Sequence, residues 1–149
     1  MIDTIRIAET DSEIAGCFAV MRELRPHLAD SESFVIRVRE QQRHGGYRLA
    51  YRSAESGVAA VAGFRILENL ASGRILYVDD LVTLAAARSR GHGAAMLRWL
   101  EAYAADDGCV SLQLDSGMHR VDAHRFYDRE GYARIALHFA KCLETNRAD

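Results

Sequence analysis

The chain has 149 residues, of which 49% are apolar and 27% charged, with one proline and eleven glycines; this suits one domain with a sizeable core and excludes a disordered or linker-rich chain. A formal net charge of -2 gives no global reason to bind nucleic acid. No apolar run approaches the roughly 20 residues needed to cross a bilayer, so a membrane partner is not expected either.

Thr4 to Ala8 reads as a short strand. Thr10 and Glu13 then have the spacing of a capping box, and Ile14, Cys17, Phe18, Met21 and Leu28 follow at helical spacing, predicting one amphipathic helix that ends near Pro26 or Leu28. Ser31 or Ser33 can cap a second helix through about His44, whose thin apolar stripe (Phe34, Val35, Val38) predicts a surface position. Gly45-Gly46 breaks it. Tyr47 to Arg52 reads as a strand, Glu55-Ser56-Gly57 as a turn, Val58 to Leu67 as a strand, and Glu68 to Gly73 as a second turn. Arg74 to Leu84, rich in Ile, Leu, Tyr and Val, reads as a buried central strand and completes an antiparallel meander.

The next segment carries the strongest chemical signal. Arg88-Ser89-Arg90-Gly91-His92-Gly93 joins that strand to a helix over Gly91 to Asp107, with Gly93, Met96, Leu97, Leu100, Tyr103 and Ala104 on one face and Arg98, Glu101 and Asp106 opposite. Glycines at such a junction uncover backbone N–H groups, the helix terminus adds unpaired donors and partial positive charge, and two arginines add charge-assisted contacts. The combination is suited to phosphate oxygens. Cys109 to Leu114 reads as a strand parallel to the one before the helix. Val121 to Glu130 reads as a short helix closed by Gly131, and Tyr132 to Leu143 as one or two final strands. The order is β-α-α-β-β-β-α-β-α-β(-β), a single α/β domain over residues 1–149. Its sheet is mixed and mostly antiparallel, with six to seven strands flanked by about four helices.

These elements and three motifs resemble the GNAT superfamily of acyl-CoA-dependent N-acyltransferases, in particular its small single-domain bacterial members. The motifs are the Arg/Gln-x-x-Gly-x-Gly/Ala turn (Arg88, Gly91, Gly93), the preceding strand Tyr77-Val78-Asp79-Asp80-Leu81-Val82-Thr83-Leu84, and Ala-x-x-Phe-Tyr-x-x-x-Gly-Tyr/Phe (Ala123, Phe126, Tyr127, Gly131, Tyr132). The resemblance implies acetyl-CoA as co-substrate, with its pyrophosphate on the backbone from Arg88 through Ser89, Arg90, Gly91, His92 and Gly93 to Ala94. It implies a pantetheine arm laid as a pseudo-strand along Leu81, Val82 and Thr83, in the gap where two parallel strands splay. Ala123 and Phe126 belong to the same cofactor side, as does Arg120, which stands where many members carry Asn. A bulge near Asp80 and Leu81 would aim one N–H at the thioester carbonyl. Tyr127 matches the tyrosine that commonly protonates the departing thiolate. Ala87 and Ala85 stand where an aromatic residue and a proline are frequent.

An amine must lose a proton before it attacks a thioester, so a proton acceptor is needed. Asp79 and Asp80 are the first candidates, with Glu68 and Asp115 behind them. Neighbours on a strand point to opposite faces, so one of the pair should face the acceptor unless a bulge re-aims both. Against these roles stand plainer ones: a carboxylate paired with arginine, a tyrosine packed in the core. His92 is expected to pack or touch phosphate, and His119, His124 and His138 to serve the surface before any substrate. Arg22, Arg25, Arg37, Arg39 and Arg43 fit a solvated helix face, although one of them could meet a substrate carboxylate. Cys17, Cys109 and Cys142 are far apart with no CxxC, as expected of reduced thiols in a cytoplasmic protein, and no His/Asp/Glu spacing suggests a metal.

The expected activity is direct transfer of an acetyl group from acetyl-CoA to a primary amine of a small molecule, amino acid derivative or protein, in a ternary complex. The alternative is a non-catalytic CoA-binding regulatory or interaction module. A P-loop is excluded by the lack of Gly-Lys-Ser/Thr, and a Rossmann dinucleotide site by the lack of an early three-glycine turn. A homodimer through the apolar segment Tyr132 to Leu143 is expected from its need for a partner edge.

Overall fold

The computed structural model describes residues 4–144, which fall into two compact units dividing between Leu114 and Asp115. The first contains β1 (Ile5–Ile7), α1 (Asp11–Gly16), α2 (Phe18–Leu24), α3 (Ser31–Gly45), β2 (Arg48–Ala54), β3 (Gly57–Asn69), β4 (Gly73–Thr83), a 3-10 turn (Ala85–Ala87), α4 (His92–Asp106) and β5 (Ser111–Leu114). The strands form one sheet in the order β1-β2-β3-β4-β5, antiparallel throughout except for the parallel β4–β5 pair.

Period-two alternation gives the sheet two apolar faces. Leu49, Val61 and Val82 meet Ile14 of α1, Cys17 between the helices, Val20 and Met21 of α2, and Phe34 and Val38 of α3. Ala50, Ala60, Ala62, Phe64, Leu76 and Val78 meet Met96, Leu100 and Ala104 of α4. The alanines on that face let α4 lie close, and Phe64 fills the space beside Trp99 and Tyr103 with edge-on ring contacts.

Two helical expectations are refined. The capping box forms as read, with Thr10 accepting from the Glu13 N–H and Glu13 reaching back to Thr10. The single helix that follows is two, because the Cys17 N–H donates to Ile14, three residues back, and starts a new ladder. Apolar periodicity reports the buried face, which α1 and α2 share, and not the hydrogen-bond ladder beneath it. The cap of α3 is Asp30, whose carboxylate accepts from the Ser33 N–H at 2.7 Å, rather than either serine.

The second unit contains α5 (Val121–Arg129) and the chain after it. Gly131, at φ +91°, closes the helix as expected, and the Tyr132 N–H returns to the Tyr127 carbonyl. The final strands expected over Tyr132 to Leu143 are not formed: residues 133–144 carry no regular structure, so among the described residues the sheet has five strands rather than six to seven. Ile135, Leu137 and Phe139 do alternate as strand residues should, yet they are 76%, 73% and 87% exposed. Alternation is a property of the segment, whereas a ladder also requires a paired edge.

Candidate active site

The site begins with a fault in the β3–β4 ladder. Gly63 pairs with Asp80 and Phe64 with Val78, so Asp79 is the extra residue of a β-bulge. Val78 packs on the α4 side; without the bulge Asp79 would face α1–α3 and Asp80 would face α4. The inserted residue shifts the alternation, and Val82 accordingly packs on the α1–α3 side. Asp79 and Asp80 therefore line the same cavity of about 300 Å³, together with Met21, Arg25, Phe34 and Tyr47. The bulge lies one residue before its expected position; it turns Asp80 to the face that Asp79 already occupies.

Each carboxylate is held by residues distant in sequence. Arg25 donates from Nε to Asp80 Oδ1 at 2.9 Å and from Nη2 to the Asp79 carbonyl. Tyr47 donates its hydroxyl to Asp80 Oδ2 at 2.8 Å. Burial first, then the neighbouring Asp80 charge, push the Tyr47 hydroxyl well above its ordinary range, so it stays a donor. Arg65 donates from Nε to Asp79 Oδ2 at 2.8 Å and from Nη2 to Gln41 Oε1. Asp79 Oδ1 has no hydrogen-bond partner among the described residues. Burial raises the Asp79 pKa despite the opposing effect of Arg65. Asp80 is thus saturated by donors, whereas Asp79 keeps one acceptor oxygen and is more basic than an ordinary carboxylate.

Gly63 makes this convergence possible. A Cβ there would collide with the Tyr47 hydroxyl and lie 2.6 Å from Asp80 Oδ2. Tyr47, Gly63 and Arg65 are absent from the sequence-based site. Their signals were a glycine inside a strand, which marks close approach, and a lone arginine within an apolar strand.

Along the other edge of β4, pairing with β5 ends at Val78 and Leu114, while β4 continues paired to β3 through Thr83. From Asp79 to Thr83 that edge has no strand partner among the described residues, because β5 ends at Leu114. The Leu84 N–H points to β3, where it donates to Ala59. Strand alternation then turns Val82 toward β3 and the backbone groups of Leu81 and Thr83 outward.

The chain leaves this edge through the 3-10 turn and enters α4. Ser89 and Gly91 have φ of +65° and +78°, the first being the one non-glycine residue in the left-handed region among the described residues. Gly91 caps α4 without a side-chain hydrogen bond, and the first helical bond is from Ala95 to Gly91. The N–H groups of His92, Gly93 and Ala94 therefore donate to nothing among the described residues, and the exposed Arg88 and Arg90 have no partner there. Arg52 ties the turn to the sheet through the Gly91 carbonyl at 3.3 Å. His92 packs inside, 5% exposed, with Nδ1 unpaired. Uncapped donors, two free guanidinium groups and an open strand edge fit the pyrophosphate and amide-bearing arm of coenzyme A.

The remaining candidates of that set lie in the second unit. Arg120 precedes α5 and is exposed; Ala123, Phe126 and Tyr127 are half-buried along it. Tyr127 packs against Phe126 and Tyr132, and burial raises its pKa against the opposing charge of Arg120. Its hydroxyl makes no hydrogen bond among the described residues. His124 holds the Gly117 carbonyl at 2.8 Å, and His138 pairs with Asp115 at 3.2 Å. Glu68 pairs with Arg74, and Arg39 with Asp11. The Cys17 thiol is pushed up to about 12 by burial, which makes it inert as a nucleophile. No helix among the described residues is long and apolar enough to cross a membrane.

Residues 17–132 match the model of the acetyltransferase (GNAT) family. The chain is 32% identical over 130 residues to an uncharacterized N-acetyltransferase, YhdJ, of Bacillus subtilis (strain 168), covering 87% of this chain and 91% of that one. It is 30% identical over 136 residues to the aminoalkylphosphonate N-acetyltransferase of Salmonella typhimurium, covering 91% and 86%. Among solved structures, AAC(6')-Iy in complex with a CoA-containing bisubstrate analog superposes with a TM-score of 0.78 at 13% identity, covering 95% of this chain and all of that one. A bulged strand, an open parallel pair and an uncapped glycine turn thus occur in a chain that belongs to the GNAT family of acetyltransferases and is an acyltransferase enzyme.

Proposed function

We propose that the chain transfers an acetyl group from acetyl-CoA to a primary amine by direct attack in a ternary complex. The observation that carries this reading is the bulge at Asp79. It brings Asp80 beside Asp79, which keeps one free oxygen in the cavity, on a strand whose opposite edge has no strand partner among the described residues. The acceptor is an amine of a small molecule, amino acid derivative or protein; the Salmonella relative, by its name, acts on aminoalkylphosphonates.

Acetyl-CoA supplies the reactive thioester. Arg88, Arg90 and the N–H groups of His92 to Ala94 bind its pyrophosphate, and the outward backbone groups of Leu81 and Thr83 hold its amide-bearing arm. The Leu81 N–H, the first outward donor beyond the bulge, polarises the thioester carbonyl. Asp79 Oδ1 accepts the proton that the ammonium group must lose, directly or through water. Asp80, fixed by Arg25 and Tyr47, positions the bulge. Tyr127 returns a proton to the leaving thiolate; its raised pKa keeps it protonated at neutral pH. The buried, inert Cys17 supports direct attack over a covalent intermediate.

A second copy of the chain is the proposed partner for the exposed alternation at Ile135, Leu137 and Phe139, because an apolar strand sequence without a ladder gains both burial and hydrogen bonds from an edge. The activity is tested by calorimetric titration of acetyl-CoA and CoA, followed by thiol release over a panel of amines and peptides. Micromolar binding with thiol release on one amine class supports the proposal. Binding without turnover on any amine supports a CoA-binding module instead, and no binding overturns the cofactor placement.

A further inference from the structure

The ion pairs at the cavity leave one charged lining residue over. Arg25 is matched by Asp80 and Asp79 by Arg65. Arg37 of α3, which also lines the cavity, makes no hydrogen bond or ion pair among the described residues. Two further lining residues add donors. Gln41 spends its side-chain oxygen on Arg65, which leaves its NH₂ group as the free end. His27 offers an imidazole N–H in either protonation state. Against these stands one free acceptor, Asp79 Oδ1.

From this we infer that the acceptor is a small zwitterionic amine, with a carboxylate or phosphonate group bound by Arg37, His27 and Gln41 and its ammonium group presented to Asp79. The inference rests on the proposed acetyl transfer and names its substrate class. A plain alkylamine or diamine satisfies neither Arg37 nor the Gln41 amide. An amine bearing an oxyanion completes both ends, and the planar guanidinium suits either acid in bidentate fashion. A cavity of about 300 Å³ lies at the small end of ligand sites, which excludes a bulky acceptor held wholly inside it.

The test compares matched amines with acetyl-CoA: butylamine, 1,4-diaminobutane, 4-aminobutyrate and 3-aminopropylphosphonate. The expected result is kcat/KM at least about tenfold higher for the acid-bearing pair, as one charge-assisted hydrogen bond provides; the ratio within that pair tells carboxylate from phosphonate. Arg37→Glu should raise KM for the acids about 10- to 100-fold, with a much smaller change in kcat and none of that loss for butylamine, while Arg37→Lys restores part of the affinity. Equal or better turnover of butylamine or the diamine overturns the inference and leaves acetyl transfer standing. No turnover of any amine by acetyl-CoA-loaded protein counts against acetyl transfer itself. Calorimetric binding of 4-aminobutyrate and 3-aminopropylphosphonate to the CoA complex then decides separately. Binding weakened by Arg37→Glu supports the anion site, and binding absent or indifferent to Arg37→Glu overturns it.

Discussion

At the level of single residues the site is a division of labour between two adjacent carboxylates. Asp80 is saturated by Arg25 and Tyr47, while Asp79 retains a free oxygen and a raised pKa. A raised carboxyl pKa means that the native state holds a proton here more readily than the unfolded chain. Its contribution to stability is therefore present below the unfolded value and lost as pH rises through the folded one. Asp79→Asn should consequently leave Tm at pH 7 equal to or above that of the parent by scanning calorimetry, while lowering turnover by about 100- to 10,000-fold, the range of a missing general base. A falling Tm would show that pairing with Arg65 outweighs burial. Tyr127→Phe should lower turnover about 10- to 1000-fold with little change in CoA affinity. Unchanged turnover would remove Tyr127 from the acid role. Gly63→Ala should cost about 1–3 kcal/mol in urea unfolding, because its Cβ meets the Tyr47 hydroxyl and the Asp80 carboxylate; an unchanged midpoint would mean that these groups yield freely.

Among the elements, β4 and α4 do most to build the proposed cofactor side. β4 outlasts its pairing with β5, and α4 begins without a side-chain cap, so each leaves backbone groups unspent at the same junction. Gly91 sits there at φ +78° with open space around its Cα. A Cβ at that position meets no protein atom, but valine forces a β-branched residue into the left-handed region and adds bulk where phosphate is proposed to approach. Gly91→Val is therefore expected to lower CoA affinity by at least about tenfold in calorimetry, since breaking a single charge-assisted hydrogen bond to phosphate has an effect of that size. A folded variant with normal affinity would place the pyrophosphate elsewhere. The elements themselves were largely legible in the sequence. The capping box, the glycine pair after α3 and the amphipathic face of α4 are local signals, and each formed close to where it was read. The break at Cys17 was not legible, because the buried face runs through it unchanged.

For the molecule as a whole, the proposed dimer rests on the exposed apolar segment after α5. Light scattering after gel filtration should show twice the 16.6 kDa chain mass, and a Leu137→Asp, Phe139→Asp double variant should return it to the monomer. A parent of 16.6 kDa at micromolar concentration would sink the dimer. What the sequence determined by itself was what near neighbours carry: the element order from β1 to α5 apart from the break at Cys17, the three motifs of the GNAT family and the glycine turn before α4. What only the tertiary structure decided was convergence. Tyr47, Arg65 and Arg25 reach the two carboxylates from 33, 14 and 55 residues away. Both carboxylates face one cavity because a bulge shifts the alternation of β4 against β3. Periodicity and capping act within a few residues of the chain and can be read along it. Register is set by which residue of another strand lies opposite, and that is fixed only when the sheet has formed.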